Sequence, residues 1–305
     1  MKLADIQSHL EWADLVKMDI EGHEKEVLLA TSRKLWETTD ALVEVQDQDN
    51  ADEIFKYFND IRVNLFPQKI NWNRAKKIIV ANEYEKKIFT ELTDESKIEV
   101  VRNGINLDDM KSSVKFKKKY ALNCNYFLFL GRFHKVKGID LLLKAIHLIK
   151  NHPLMSNVKL IIMGVDFGFE REMFEMIRQM GLDNVVQVIK NPPREDVIAS
   201  YNESEFLVLP SRWELSPLTP LEGFAFKKPT ISTKAHGIPY TLHDRKDSIL
   251  VESEDFKELS DKIVELLNDK IKCTQLGIEG YQYVQKECNS KKMTHQILNI
   301  YEKIT

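Results

Sequence analysis

Short apolar runs recur at 126–130, 158–163, 185–189, 206–209, 230–232 and 248–251, each followed by a longer segment. No other feature constrains the fold as much. Runs this brief and this uniformly apolar read as strands covered on both faces. The intervening segments near 139–150, 170–180, 194–201 and 218–226 carry helical periodicity, and three further helical segments, about 255–267, 270–286 and 290–303, close the chain. Strict strand–helix alternation predicts an α/β fold with a doubly wound parallel sheet, helices on both faces and ligands at the carboxyl ends of the strands.

The loop after the fourth run leads from Pro210 to Ser216 and Pro217. Serine followed by proline predicts a helix start, with Ser216 as N-cap and Pro217 as first helical residue, because proline lacks the amide that a helix start leaves unpaired. The next amides, of Leu218 and Thr219, then point out of the helix beside the positive end of its dipole, an arrangement suited to an anion. Glu222 follows Leu218 by four residues and so shares its face, and Glu214 precedes the helix. Phosphate between two carboxylates suits a sugar nucleotide, which has phosphates in the middle and hydroxyls at both ends. A dipole partner at Glu222 and a solvated loop charge at Glu214 would give the same pattern.

Two further loops bear on this site. Residues 131–138 follow the first run and carry Gly131, Arg132 and Lys137, two cations at the rim where the helix start also points. A diphosphate carries about two negative charges, so one helix end undercompensates it and cations must complete the site. Lys190 and Asn191, after the third run, are placed near a nucleotide base or form an ordinary connection.

The 305 residues suffice for two domains, and a 43% hydrophobic content is ordinary for a globular protein. A formal charge of −3 excludes a chain built around nucleic-acid backbone binding. No apolar run of about 18 residues and no signal-peptide core are present, which predicts a cytoplasmic protein. Cys124, Cys273 and Cys288 have no C-x-x-C spacing, and no disulfide or zinc site is expected. Lys115, Lys117, Lys118 and Lys119 form a basic run that reads as a solvated face or as a peripheral membrane or partner contact.

The first seventy residues read as a β–α–β unit, with strands at 15–18 and 41–45. Asp14 to Gly22, Val43-Glu44-Val45 and Asn64 to Trp72 resemble the C-terminal part of FkbM-type methyltransferases, and the resemblance would place Asp19 and Glu21 at an S-adenosylmethionine edge. Gly22 is the first glycine, so the glycine-rich turn that such a cofactor needs is missing, and solvated carboxylates are the competing reading of both residues. Asp47 and Asp49 form a D-x-D word of the kind that occurs by chance, and His23-Glu24 reads as surface.

From residue 74 onward the chain resembles the C-terminal, donor-binding domain of glycosyltransferase family 4, which has the GT-B architecture. The matching pieces are Val101-Arg-Asn-Gly-Ile105, Gly131-Arg132 with Lys137-Gly138, Leu209-Pro-Ser211, the pair Glu214 and Glu222, and Gly237-Ile-Pro239. The resemblance implies an enzyme that transfers a hexose with retention and needs no metal or other cofactor. A UDP-, GDP- or ADP-linked sugar is the implied donor, and the acceptor is an unspecified glycan, lipid or small molecule. It assigns Arg132 and Lys137 to the diphosphate, Glu222 to the ribose hydroxyls, Glu214 to the transferred sugar, and Gly131, Ser216, Leu218 and Thr219 to donor binding; Arg132, Lys137 and Glu214 would be catalytic. Pro217 and His236 stand where the family has glycine, and Tyr240 where it has an acid.

The implied organisation is an FkbM-like fragment at 1–73, the end of a GT-B N-terminal domain with its hinge at 74–110, and a donor-binding domain at 111–305. With so little of an acceptor domain, a sugar-nucleotide-binding module inactive by itself is the alternative function, and methyl transfer a third.

Overall fold

The computed structural model describes residues 75–304, the strands at 15–18 and 40–43, and helical residues 53, 54, 56–58 and 60. The chain divides into two compact units, Met1–Trp72 and Asn73–Thr305. In the first, β1 (Leu15–Met18) pairs in parallel with β2 (Asp40–Val43), Leu15 opposite Asp40. A parallel pair requires a crossover connection, which the 21 residues between these strands (19–39) are long enough to make. Asp19, Glu21, His23, Glu24, Asp47 and Asp49 lie outside the described residues.

The second unit begins with β3 (Ile78–Val80), α1 (Glu83–Thr90) and β4 (Ile98–Val100), the two strands again parallel. Asn82 caps α1 by accepting from the amides of Tyr84 and Glu85, both at 3.0 Å. A short helix α2 (Phe116–Lys119) follows, its first amides bound by the Glu203 carboxylate at 2.8 and 3.0 Å. The basic run is therefore partly committed: Lys119 bonds both oxygens of Asp196, and Lys117 donates to Asn125 Oδ1.

Then come β5 (Asn125–Leu130), α3 (Ile139–Ile149), β6 (Val158–Gly164), α4 (Glu170–Gln179), β7 (Val186–Lys190), α5 (Arg194–Glu203), β8 (Leu207–Leu209), α6 (Leu218–Ala225), β9 (Thr230–Thr233), the single turn α7 (Ile238–Thr241) and β10 (Ser248–Val251). The helices α8 (Phe256–Asn268), α9 (Lys270–Glu287) and α10 (Ser290–Ile304) complete the chain. The six strands β5 to β10 form one sheet in the order β10-β9-β8-β5-β6-β7, parallel throughout. Alternate residues of β5 enter different cores. Phe127 and Phe129 pack with Leu142, Ile146, Ile263 and Leu266. Tyr126 and Leu128 face Phe116 and Tyr201. Burial on both faces explains why the strand is an unbroken apolar run.

Strand order is what positions a site. From β5 the chain winds outward through β6 and β7, then returns to lay β8 on the other edge of β5, with Leu128 opposite Leu207. The reversal leaves a crevice between the carboxyl ends of β5 and β8, the place where open α/β sheets bind ligands.

One local expectation is corrected. Pro217 is the cap residue of α6 rather than its first residue, with φ −67° but an extended ψ of 130°, and Ser216 makes no capping bond. The loop is held extended by its carbonyls: Leu215 accepts from Asn82 Nδ2 at 2.7 Å and Ser216 from Asn103 Nδ2 at 3.3 Å. Those bonds decide the backbone ahead of the helix, and they come from the β3–β4 segment.

Candidate functional site

Two loops line the crevice, residues 131–138 after β5 and 210–217 after β8. They are laced together by hydrogen bonds from Arg212, one from its backbone and one from its side chain. The Arg212 amide donates to Val136 O at 2.8 Å, and its Nη1 donates to Lys135 O at 2.6 Å. Between them Gly138 adopts φ +71°, and a Cβ on it would fall 1.9 Å from the Pro210 carbonyl oxygen. Only glycine permits that approach.

Across the same contact Lys137 Nζ lies 2.5 Å from Glu214 Oε1, both side chains nearly buried. Ser211 Oγ donates to the same oxygen at 3.1 Å, and the Glu214 carbonyl accepts from the Gly237 amide at 2.9 Å. Glu214 is thus not a solvated loop charge. The structure brings it together with Lys137, three strands away in sequence, because β5 and β8 are neighbours.

Beyond Glu214 the α6 start presents amides only at Leu218 and Thr219, since Pro217 and Pro220 have none. Leu218 is exposed and Thr219 half-buried. Farther along that helix, Glu222 is gripped by α5: Arg194 Nη2 donates to Oε1 and the Tyr201 hydroxyl to Oε2, each at 2.7 Å. Burial, and then the Glu222 charge, push the Tyr201 phenol far above its usual range, so it stays a donor. The bond and charge of Glu222 raise Arg194 in turn.

Arg132 is placed differently. Its guanidinium is exposed and lies 5.0 Å from the centroid of Phe167, in the loop after β6, a cation–π contact. It leans to the β6 side of the crevice while Lys137 leans to the β8 side, so the two cations straddle the end of β5. Gly131, between them and β5, donates its amide to Met163 O at 3.0 Å. Lys190 is paired with Glu170 at 2.8 Å, and Asn191 has φ +49°.

Asn103, within the Val101–Ile105 piece, holds the 210–217 loop. Four contributors carry no sequence signal of that kind: Asn82 also holds this loop, Arg194 and Tyr201 hold Glu222, and Arg212 joins the loops. Its guanidinium forks onto Asp140 at 2.7 and 2.8 Å and reaches Glu254 at 2.6 Å. Burial pushes the Asp140 carboxyl up, but the hydrogen bonds and charge of Arg212, with Lys144, outweigh it and leave the pKa below its usual value. A carboxyl lowered on folding stabilises fully above the ordinary aspartate pKa of about 3.9 and loses that contribution as pH falls through its folded value. Arg212→Ala should therefore lower stability by about 2–3 kcal/mol at neutral pH, less than the roughly 3–5 of a fully buried pair because the guanidinium keeps some exposure. In denaturant titrations the gap to the parent protein should narrow below about pH 4; a gap independent of pH would reject the pairing as its origin.

The crevice also has a wall from the β3–β4 segment. Arg102 and Asn103 there, with Ser216, Tyr240 and Tyr283, line a narrow cleft. His236, in a left-handed backbone conformation at φ +49°, bonds the Tyr84 hydroxyl at 2.8 Å. Tyr240 accepts from Lys87 Nζ at 2.9 Å. Of the three positions that depart from the family pattern, His236 and Tyr240 are therefore tied to α1.

A family model described as glycosyl transferases group 1 matches residues 111–283. The capsular polysaccharide biosynthesis glycosyltransferase CapM of Staphylococcus aureus is 30% identical over 260 residues, 81% of this chain and 66% of its own. The crystal structure of a Rickettsia africae glycosyltransferase superposes with a TM-score of 0.72 at 18% identity, covering 96% of this chain and 97% of its own. Anabaena HepE in complex with UDP and glucose gives 0.72 at 17% identity, over 98% of this chain and 80% of that one. At those identities the likeness speaks to fold. The chain spans 41% to 66% of the length of the first curated relatives it matches.

Proposed function

The chain belongs to the glycosyl transferases group 1 family, and from that premise we propose that it moves a hexose, with retention, from a nucleoside-diphosphate sugar to an acceptor hydroxyl. The acceptor oxygen bonds the anomeric carbon, the bond from that carbon to the diphosphate breaks with its electron pair leaving on phosphate, and the acceptor proton passes to the departing diphosphate. The observation that carries this reading is the Lys137–Glu214 pair at the switch point, between the β5 loop and the approach to α6. Lys137, Arg132 and the amides of Leu218 and Thr219 stabilise the negative charge that develops on the leaving group, and preorganised donors of this kind need no rearrangement as the charge appears. Glu214 takes the transferred sugar and Glu222 the ribose. Gly131 and Ser216 complete the donor loops, without a capping role for Ser216.

UDP is the first nucleotide to test, because HepE was crystallised with UDP and glucose. A glycan acceptor is favoured over a lipid or small molecule by the similarity to a capsular polysaccharide enzyme. Residues 74–110 are assigned to the end of the acceptor-side domain and 111–305 to the donor side. An FkbM-like fragment is assigned to 1–73, a reading the parallel β1–β2 pair suits. No described helix is long and apolar enough to cross a membrane, and we place the reaction in the cytoplasm, with the exposed Lys115 and Lys118 free to approach a membrane surface or a partner.

Thermal-shift titration with UDP, GDP and ADP, followed by release of nucleotide from the matching labelled sugar donor, tests the reading. One diphosphate should stabilise the protein and its sugar conjugate should turn over. Binding without turnover would favour a donor-binding module completed by another chain, and binding of none would reject both.

A further inference from the structure

We propose that Arg194 and Glu222 act together as a reader of the ribose vicinal diol, with Arg194 the specificity-determining member. The proposal rests on the donor-binding reading above and extends it to a residue outside the recognised motifs. Arg194 is the first residue of α5, where a cation opposes the helix dipole; Glu195 and Asp196 beside it are the residue types that such a position favours. Its place must answer to something outside its own helix.

That partner is the Glu222 carboxylate. Tyr201 follows Arg194 by seven residues, two turns along one face of α5, and the two side chains each hold one oxygen of Glu222. The phenol is fully buried, whereas the Arg194 side chain is 53% exposed and that of Glu222 is 16% exposed. A buried staple between two helices would have no reason to leave its cation open to solvent. Tyr201 gives the carboxylate a buried anchor, and the exposed guanidinium is the part of the pair that can meet a ligand.

Hydrogen-bond accounting then defines the ligand. Each carboxylate oxygen keeps a second lone pair after accepting one bond, and the guanidinium has further N–H groups without a partner among the described residues. A vicinal diol offers two donors and two acceptors. A lone carboxylate satisfies only the donors, while a carboxylate with a guanidinium beside it also supplies a donor to a hydroxyl oxygen. The pair therefore matches both halves of the diol, and a sugar lacking the 2′-hydroxyl would leave charged groups unmet.

The test uses whichever of UDP, GDP and ADP binds the full chain, with its 2′-deoxy counterpart, in calorimetric titrations of the parent protein, Arg194→Ala and Arg194→Lys. The parent should prefer the ribonucleotide by about tenfold or more, the span of a charge-assisted hydrogen bond. Arg194→Ala should weaken the ribonucleotide by about tenfold and the deoxynucleotide by less than about threefold, so that discrimination collapses, and Arg194→Lys should restore part of it. Equal weakening of both nucleotides at an unchanged melting temperature, unchanged affinities, or tighter binding would each overturn the assignment. Binding of none of the three diphosphates by the parent protein would instead remove the donor-binding reading itself.

Discussion

Lys137→Ala is expected to weaken nucleoside-diphosphate binding by more than tenfold, the largest effect of any single site change proposed for this protein. A charge-assisted hydrogen bond to phosphate contributes roughly 1.5–3 kcal/mol, which corresponds to about ten- to 150-fold in affinity. The substitution acts twice. It deletes a cation from the crevice, and it releases Glu214, whose carboxylate is nearly buried and would keep, among the described residues, only the Ser211 hydroxyl. An uncompensated carboxylate beside a diphosphate adds repulsion to the lost attraction. Arg132→Ala should act in the same direction, also by more than tenfold, since its exposed guanidinium is held by Phe167 alone among the described residues. Calorimetric titration checks both, and raising the salt should shrink the effect of the exposed Arg132 more than that of the nearly buried Lys137. Unchanged titration curves for the two variants would remove the diphosphate assignment.

Gly138→Ala is expected to damage the fold rather than the chemistry. The new Cβ would lie 1.9 Å from the Pro210 carbonyl oxygen and the residue would sit at φ +71°. The obstructing atom is backbone and cannot rotate away. The left-handed conformation alone costs about 1–2 kcal/mol for alanine, and separating the loops adds to it. A total loss of about 4 kcal/mol or more is expected, a large share of the roughly 5–15 kcal/mol that holds a typical domain together. At about 2–4 °C per kcal/mol for a unit of this size, the melting temperature should fall by about 10 °C or more. Gly168→Ala supplies the comparison: its φ is +88°, but nothing lies within 4 Å of the added carbon. Only the backbone contribution of about 1–2 kcal/mol applies there. Similar melting temperatures for the two variants would show that the approach of Pro210 to Gly138 is not what resists substitution.

Much of the architecture is readable without coordinates. The run at 248–251 coincides with β10, and the helix that sequence places near 139–150 is observed at Ile139–Ile149. Glu214 and Glu222 were singled out by their spacing around a helix start, and Gly131, Arg132 and Lys137 by their place after an apolar run. Reading failed where a local rule met a distant partner. Ser216 has the composition of a cap, yet Asn82 and Asn103 pull on the carbonyls around it and leave Pro217 in that position.

What the sequence by itself determined is the kind and order of the elements, because helical and strand periods, turns and double-sided burial are written in neighbouring residues. What only the tertiary structure decided is who meets whom. Nothing local says that β8 returns to the flank of β5, that Lys137 closes on Glu214, that Arg212 bridges to Asp140, or that Arg132 stays over Phe167 on the opposite side. The physical reason is that strand order and ion pairing are contacts between residues 70 or more positions apart in most of these cases, chosen by how the whole sheet buries its faces.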